Sequence, residues 1–319
     1  MATYYGYENV TLIPDLCKIG SRSEADTYQY FIDREFKLPI YPSNMKCTID
    51  FDLCKTLSSN DYFYTMHRFI DNQIEWIEKA QDLNFVSISV GVKEEDIRLI
   101  EQIKDKGLRV HYITIDIAHA HHPWVCHMIK TINANLNSQG TKIIAGNVAT
   151  PEAANYLYEC GAHAVKVGIG QGRACTTKDK TGFTLPMFTC VNKIFYKYPE
   201  IPIIADGGIR CHGDVAKALV AGADMVMAGN MFAQLSDSPA ITRSYGNDKY
   251  KEYYGSASEH NNVKIKNIEG TLVRLPYNPK TYLEFMDEIQ ADIQSSISYS
   301  GKTSLKEKNL TDTRWAVLS

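Results

Sequence analysis

Short runs of apolar residues alternate with longer amphipathic stretches along most of the chain. Several apolar runs place Ile and Val at consecutive positions, which is typical of strands buried on both faces. We therefore predict strands at residues 38–42, 62–66, 86–90, 112–116, 143–147, 164–167, 203–205 and 225–228. The amphipathic stretches predict helices that include residues 72–83, 94–106, 151–160 and, last in the chain, 281–295.

The predicted unit is a strand, a loop and a helix, and it occurs eight times. Eight such units close into a (β/α)8 barrel, whereas five or six favour an open doubly wound sheet. The chain has 319 residues, which accommodates a barrel of roughly 250 residues with additions. We therefore predict an α/β fold, a single (β/α)8 TIM barrel domain over residues 1–319.

Two regions interrupt the repeat. Residues 182–199 form a long connection between the sixth and seventh predicted strands, and residues 233–279 follow the eighth. Long excursions from compact domains are commonly functional lids, and barrel enzymes build their sites at these strand ends. We predict a long flap loop after the eighth strand, and a mobile charged tail from Lys302 onward.

Composition narrows the possible functions. Hydrophobic residues make up 44% of the chain and the net charge is −3, which argues against disorder and against binding a nucleic-acid polymer. No apolar run reaches the roughly 18 residues of a membrane span, and the chain does not open with a secretory signal. Eight cysteines without a C-x-x-C pair predict buried reduced thiols, with one exception described next. We expect a cytoplasmic protein that binds no membrane.

The densest chemical signal is GIGQGRACTT at residues 168–177, directly after a predicted strand. Alternating glycines let backbone amides and carbonyls face a ligand or an ion. Cys175 lies on this loop rather than in an apolar run, so it is a better candidate nucleophile than the other cysteines. An inert cysteine in a glycine-rich turn is the alternative. A dinucleotide-binding fingerprint fits poorly, because we predict no helix that opens here.

A second signal comes from two further loops. Asp206, Gly207 and Gly208 follow the seventh predicted strand, and Gly229 and Asn230 follow the eighth. Asp-Gly-Gly is commonly only a turn. In a barrel, however, the loops after these two strands often bind phosphate through backbone amides. Together they predict a phosphate cradle, unless Asp206 instead accepts hydrogen bonds from a ribose.

Other polar groups at predicted strand ends are less specific. Three histidines within residues 119–122 favour a polar turn over a zinc site, because no Cys/His pair lies nearby at ligand spacing. Asp116, at the end of its strand, is the better functional candidate. His67 and Arg68 form a cationic pair that faces an anion or solvent. Glu269 is either a solvated charge or an acid that a lid delivers.

These motifs resemble the IMP dehydrogenase / GMP reductase family. The resemblance is carried by GIGQGRACTT at 168–177, ADGGIR at 205–210 and YYGSASE at 253–259, and it covers nearly the whole chain. Two absences favour the reductase branch. Residues 66–86 are too few for the regulatory subdomains that IMP dehydrogenases usually carry, and the late loop lacks their water-activating Arg-Tyr pair.

The resemblance implies that GMP is converted to IMP and ammonia, with NADPH as reductant, in purine salvage. Cys175, as thiolate, attacks C2 of guanine, ammonia leaves to give a covalent thioimidate, and hydride from NADPH then allows IMP to be expelled. Protonation of the departing amino group is assigned to Thr177 and Glu269. A covalent intermediate splits one hard substitution into two easier steps.

The resemblance also implies the binding residues, and a homotetramer in which a neighbouring subunit completes the cofactor site. GMP is assigned to Asp206, Gly207, Gly208, Gly229, Asn230, Gly255, Ser256, Ala257 and Gly270. Either arginine of the cofactor set suits the 2′-phosphate. NADPH is assigned to Ser21, Arg22, Arg68, Asp116, Ile117, Ala118, Ile169, Gly170, Ser295, Ser296, Ile297 and Ser298. A monovalent cation, K+, is assigned to Gly170, Gly172 and Cys175.

Three departures from the family pattern lie near these residues. Gln171 replaces a usual proline, and we expect it to loosen the loop that aims Cys175. Thr184 and Met187 replace a glycine and a glutamine. Two alternatives therefore stay open: a compact IMP dehydrogenase that uses NAD, and a catalytically silent nucleotide-binding homologue. A Cys175→Ala variant separates an enzyme from a silent binder.

Overall fold

The structure is a computed structural model that describes residues 3–246, 248–255, 270–306 and 310–318. Its strands are β1 (Val10–Leu12), β2 (Gln29–Phe31), β3 (Arg34–Phe36), β4 (Ile40–Pro42), β5 (Ser87–Val90), β6 (Tyr112–Asp116), β7 (Lys142–Val148), β8 (Ala164–Val167), β9 (Ile203–Asp206), β10 (Met225–Ala228), β11 (Thr242–Tyr245), β12 (Asp248–Tyr254), β13 (Leu272–Pro276) and β14 (Trp315–Val317). Its α-helices are α1 (Phe51–Ser59), α2 (Gln73–Lys79), α3 (Glu94–Asp105), α4 (Pro123–Leu136), α5 (Pro151–Glu159), α6 (Thr177–Thr181), α7 (Met187–Lys197), α8 (His212–Val220), α9 (Asn230–Ala233) and α10 (Tyr282–Tyr299).

Within the described residues, seven strands form one parallel sheet in the order β4-β10-β9-β8-β7-β6-β5. The first of these strands in the chain, β4, pairs with the last, β10, so the sheet curls. Strands β5, β8 and β10 are buried at every position, as expected for strands covered on both faces. Seven strand predictions and the α/β class are thereby confirmed.

The strand predicted at residues 62–66 is reduced to one parallel bridge between Met66 and Ile88. The segment still lies along β5, because the Tyr64 hydroxyl donates a hydrogen bond to the Phe85 carbonyl at 2.7 Å. The described hydrogen-bond ladder therefore joins seven strands rather than the eight predicted.

Side-chain caps begin several of the helices that cover this sheet. Thr150 Oγ1 accepts a hydrogen bond from the Ala153 amide at 3.3 Å, and Pro151 opens α5, as the sequence predicts. Gly161, with φ of +106°, follows the end of the helix. Among the described residues, no helix combines the length and the apolar composition that a membrane crossing requires.

The connection at residues 182–199 is not the long loop we predicted. Most of it is α7, which buries Met187, Cys190, Val191 and Ile194. The short helix α6 also begins directly after the Cys175 loop, where we predicted none. Its sequence, TKDKT, is polar throughout and so has no apolar periodicity to reveal it.

Part of the excursion at residues 233–279 is an additional sheet. Strands β11, β12 and β13 pair antiparallel in that order. Along β12 burial alternates, with Lys251 and Tyr253 buried. The predicted site residues Ser256, Ala257 and Glu269 lie outside the described residues.

The described part of the tail is packed, contrary to our expectation of mobility. Strand β14 pairs antiparallel with β1, and Leu305 and Leu310 are buried. Lys302 Nζ lies 2.6 Å from Asp312 Oδ2. The few apolar residues of this tail are widely spaced among charged ones, which hid the packing from a search for periodic segments.

The prediction of buried reduced cysteines is wrong for four of them. Cys126 and Cys160 form a disulfide between the α4 region and the end of α5, with Cα atoms 5.4 Å apart. Cys17 and Cys211 are exposed. The disulfide joins cysteines 34 positions apart in the sequence, so only the packing of the two helices brings them together.

Candidate active site

Cys175 lies half-buried on the loop between β8 and α6. Its Sγ is 3.1 Å from the hydroxyl oxygen of Thr177, at hydrogen-bond distance. Its backbone amide donates to the Gly172 carbonyl at 3.0 Å, which fixes the turn. A thiol that shares a hydrogen bond with a hydroxyl is suited to nucleophilic attack combined with proton transfer.

The Cys175 loop packs directly against the loop that contains Asp206. Gly168 has φ of +142°, and a Cβ placed there would lie 2.1 Å from the Asp206 carbonyl oxygen. Gly207 has φ of +92°, and its Cβ would lie 3.3 Å from backbone atoms of Gln171 and Gly172. Glycine at these positions therefore lets two separately predicted motifs form one surface.

Within the late excursion, the described residues on either side of residues 256–269 also reach this surface. Gly270 forms an antiparallel bridge with Cys175, and the Thr271 amide donates to the Ala174 carbonyl at 2.9 Å. A Cβ on Gly255 would lie 3.7 Å from both the Ala174 carbonyl oxygen and Gly270 Cα. Near Gly229, the Tyr253 hydroxyl approaches so closely that a Cβ there would overlap it. Gly255 and Gly270, on either side of residues 256–269, thus both lie beside the Cys175 loop.

A buried lysine, which the sequence analysis missed, lies beneath these loops. Lys166 Nζ is 3.0 Å from Asp116 Oδ1 and 2.7 Å from Asp206 Oδ2. Burial alone raises the pKa of Asp116, but Lys166 and nearby Arg68 outweigh it and hold that pKa below its usual range. A lysine within the otherwise apolar run AVKV was the available signal.

Asn147, at the end of β7, is a second residue that we did not predict. Its Nδ2 donates to Asp206 Oδ2 at 2.8 Å and to the Gly168 carbonyl at 2.6 Å. Its side chain therefore fixes the Asp206 carboxylate relative to the start of the Cys175 loop. Like Asp116, it is a polar residue at the carboxyl end of a buried strand.

His67 and Arg68 do not form the predicted cationic pair. His67 is buried, and its Nδ1 accepts a hydrogen bond from the Phe69 amide at 3.1 Å. Burial and the nearby charge of Lys46 lower the pKa of His67 to about 4, so the ring is neutral at pH 7. Of these two residues, Arg68 is the one that carries a positive charge, and its guanidinium lies 4.7 Å from the ring centre of Phe69.

The three histidines after Asp116 do not act together. His122 accepts a hydrogen bond from the Trp124 amide at 3.1 Å and thereby caps α4. The rings of His119 and His121 are 6.5 Å apart. In the part of the chain that the structure describes, no three His, Cys, Asp or Glu side chains gather as a metal site.

The predicted cofactor residues fall into two groups by their contacts. At the strand ends, the Ile117 amide donates to the Gly146 carbonyl at 2.9 Å, next to Asp116 and exposed Ala118. On the surface, Arg22 donates to Ser295 Oγ at 3.4 Å and to the Tyr299 hydroxyl at 3.2 Å. In the second group Ser21 lies beside Arg22, and α10 carries Ser295, Ser296, Ile297 and Ser298.

The departures at Gln171 and Thr184 compensate each other. Gln171 Nε2 donates to Thr184 Oγ1 at 2.6 Å and to the Leu185 carbonyl at 2.8 Å. Thr184 Oγ1 in turn donates to the Ile169 carbonyl at 2.8 Å. Gln171 therefore ties the loop down rather than loosening it. A Cβ on Gly170 would lie only 3.2 Å from Thr184 Oγ1.

A model of the IMP dehydrogenase / GMP reductase domain matches residues 4–313. The chain belongs to this family. Within the family, a protein from Staphylococcus carnosus named GMP reductase is 45% identical over 312 residues, which cover 97% of this chain and 95% of its own. A protein of the same name from Oceanobacillus iheyensis is 47% identical over 304 residues, which cover 94% and 92%. A third GMP reductase, from Staphylococcus aureus (strain Newman), is 44% identical over 311 residues, which cover 97% of this chain and 95% of its own.

Proposed function

We propose that this protein catalyses the NADPH-dependent conversion of GMP to IMP and ammonia. The observation that carries the proposal is the 3.1 Å contact between Cys175 Sγ and Thr177 Oγ1, on a loop packed against Asp206. The relatives named GMP reductase support the same reaction, because they match nearly the whole chain.

The reaction requires a nucleophile and a proton donor at the same carbon. Cys175 Sγ forms a bond to C2 of guanine, and the C2–N2 bond then breaks as the amino group leaves with an added proton as ammonia. Thr177, at hydrogen-bond distance from the sulfur, and Glu269 pass that proton. Bound NADPH supplies hydride for C2, after which the C–S bond breaks and IMP leaves.

GMP lies across the surface formed by the packed loops. Asp206 accepts hydrogen bonds from the ribose hydroxyls, and backbone amides at Gly207, Gly208, Gly229 and Asn230 hold the phosphate. The late excursion then closes over the nucleotide as a flap, using Gly255, Ser256, Ala257, Glu269 and Gly270. The contacts of Gly270 and Gly255 with the Cys175 loop support this placement.

NADPH approaches from the side of Asp116, Ile117 and Ala118, with Ile169 and Gly170 nearby. Among the described residues, Arg68 Nε is buried with no hydrogen-bond partner, so it is available to an anionic ligand. Arg22 and residues 295–298 contribute from a neighbouring subunit of a homotetramer. Carbonyls of Gly170, Gly172 and Cys175 would hold K+.

We also propose that the chain is one catalytic (β/α)8 barrel domain acting in the cytoplasm. The segment at residues 62–66 supplies the remaining strand, between β4 and β5. The bridge from Met66 to Ile88 supports the place of this segment beside β5, and the pairing of β4 with β10 supports closure at the opposite edge of β4.

The test mixes the protein with GMP and NADPH in potassium buffer and follows nicotinamide absorbance. We expect NADPH to be consumed with equal amounts of IMP and ammonia formed. Formation of NADH from IMP and NAD, with no reaction of GMP, would instead identify an IMP dehydrogenase. No reaction in either mixture, with GMP bound, would identify a silent binder.

The cysteine variants make the test specific. Cys175→Ala removes the nucleophile, so we expect turnover to fall by at least about a thousandfold while GMP still binds. Cys211→Ala is the matched control, because Cys211 is an exposed free cysteine that directly precedes α8. Retained turnover in Cys175→Ala would contradict the covalent route.

A further inference from the structure

Asp116, Gly146 and Lys166 form one row across three neighbouring strands. Asp116 on β6 is paired with Gly146 on β7, and Gly146 is paired with Lys166 on β8. Lys166 therefore reaches a carboxylate two strands away by passing over the strand between them. Its side chain is 3% exposed, and the carboxylates of Asp116 and Asp206 are 16% and 20% exposed.

Gly146 makes this crossing possible. A Cβ on Gly146 would lie 2.5 Å from Lys166 Cβ and 2.6 Å from the Lys166 carbonyl oxygen. Real Cβ atoms do not approach that closely, so any other residue at this position displaces Lys166 or one of the strands. Lys166 on β8 can therefore cross β7 because residue 146 has no side chain.

One ammonium here serves two carboxylates with different predicted ligands. In the proposed function, Asp206 holds the ribose of GMP and Asp116 faces the cofactor. We propose that Lys166 is a positioning residue that joins these two carboxylates and holds them in place, so that the GMP side and the cofactor side of the site depend on each other. This inference rests on the proposed function.

Electrostatics supports the assignment. The half-buried carboxylates of Asp116 and Asp206 repel each other, and the ammonium of Lys166 between them offsets that repulsion. Several further groups act on the pair by charge or hydrogen bond, and Lys166 is the cation that contacts both carboxylates. Those further groups are Tyr41, Asn44, Arg68, Asn147 and Tyr253.

The experiment measures GMP binding by calorimetry without NADPH, so that no turnover occurs. Lys166→Met keeps the volume of the side chain and removes its charge, and we expect GMP affinity to fall by about tenfold or more. Adding Asp116→Asn removes the carboxylate that Lys166 no longer neutralises. Asp116→Asn/Lys166→Met should therefore regain most of the lost GMP affinity, although Asp116 lies on the cofactor side.

Two further variants separate charge from structure. Lys166→Arg keeps the charge and should bind GMP more tightly than Lys166→Met. Lys142→Met is the matched control, since Lys142 begins β7 and lies 3.9 Å from Asp33, and it should bind GMP as the unaltered protein does. A double variant that binds GMP no better than Lys166→Met would overturn the proposal.

Melting temperatures distinguish failure of this inference from failure of the proposed function. If the unaltered protein binds no GMP, the proposed function fails. The order of the variants' melting temperatures then still tests whether Lys166 joins the two carboxylates. We expect Asp116→Asn/Lys166→Met to melt above Lys166→Met. If Lys166→Met does not fold, the double variant must fold, and its failure to do so would also overturn the proposal.

Discussion

Each of two different sheets contains an almost fully buried lysine, and the two are stabilised in opposite ways. Lys166, in the parallel sheet, is ion-paired with the carboxylates of Asp116 and Asp206. Lys251, in the antiparallel sheet, is 1% exposed. Its ammonium donates at 3.0–3.2 Å to the backbone carbonyls of Ser236, Ser238 and Ala240.

The hydrogen-bond and ion-pair partners determine the direction in which the pKa of each lysine is shifted. Burial alone lowers the pKa of Lys166, but its two carboxylates raise it above its usual range. Burial lowers the pKa of Lys251, and the charge of Asp237 offsets only part of this. The two carboxylates therefore keep Lys166 charged in the candidate site. The backbone carbonyls around Lys251 mainly connect β12 to the segment after α9.

The largest effect that separates the two regions should come from Gly146→Ala. The added methyl group overlaps Lys166 Cβ and its backbone, so we expect a loss of about 1–3 kcal/mol in the free energy of unfolding together with weaker GMP binding. Denaturant titration and calorimetry measure the two quantities. Gly213→Ala is the control, since the nearest atom to its Cβ is Cys211 Sγ at 3.8 Å. Equal unfolding free energies and equal GMP affinities for the two variants would show that the position of Gly146, between Asp116 and Lys166, tolerates a side chain.

Lys251→Met should have the next largest effect, on stability. It leaves the buried carbonyls of Ser238 and Ala240, and the partly buried carbonyl of Ser236, without the Lys251 donor, so we expect a loss of about 1–3 kcal/mol in the free energy of unfolding. GMP binding should weaken less than in Lys166→Met. The exposed neighbour Lys249→Met is the control, and urea unfolding measures both. If Lys251→Met unfolds like Lys249→Met, the carbonyl contacts do not stabilise β12.

The smallest effect should be a difference in alkaline pH dependence. Because the pKa of Lys251 is lower in the folded protein than in the unfolded chain, the unfolded chain binds more protons between these two values. Stability conferred by Lys251 therefore rises as pH increases toward 10.5, the usual lysine value. The raised pKa of Lys166 predicts the opposite sign, with its contribution intact below pH 10.5 and lost only above it.

Unfolding free energies at pH 8 and pH 10 test this difference. The unfolding free energy of the unaltered protein, relative to that of Lys251→Met, should be larger at pH 10 than at pH 8. A gap that stays constant would mean that burial does not shift the pKa of Lys251. The Asp116→Asn/Lys166→Met variant should show the same pH trend as the unaltered protein, because Lys166 does not titrate in this range.

The parallel sheet could be predicted because its residues are dictated locally. Strands β6, β8 and β10 have the predicted bounds, since short, mainly apolar runs suit strands buried on both faces. Strands β1 and β14 have three residues each, and in the described part of the chain they form a two-stranded sheet with one another. Nothing local identifies such a pair, because its stability comes from a partner at the far end of the chain.

The candidate site shows the same division. Cys175 and Asp206 stand out in the sequence because glycines surround them, and their loops do pack together. The roles of Lys166 and Asn147 depend on which strands are neighbours, and the sequence does not state this. Gln171 was misjudged as a loosening residue, because its partner Thr184 is 13 positions away and the hydrogen bond joins them only in the fold.

The pairing of β1 with β14, and of β4 with β10, has a consequence for synthesis. Each pair joins segments separated by much of the chain, so neither can form until the later strand has left the ribosome. Closing such long loops costs chain entropy and slows folding. Until then, β4 presents an unpaired edge to other growing chains. We therefore expect truncated chains that lack β10 to aggregate, and a chain released before β14 to remain incomplete at its amino terminus.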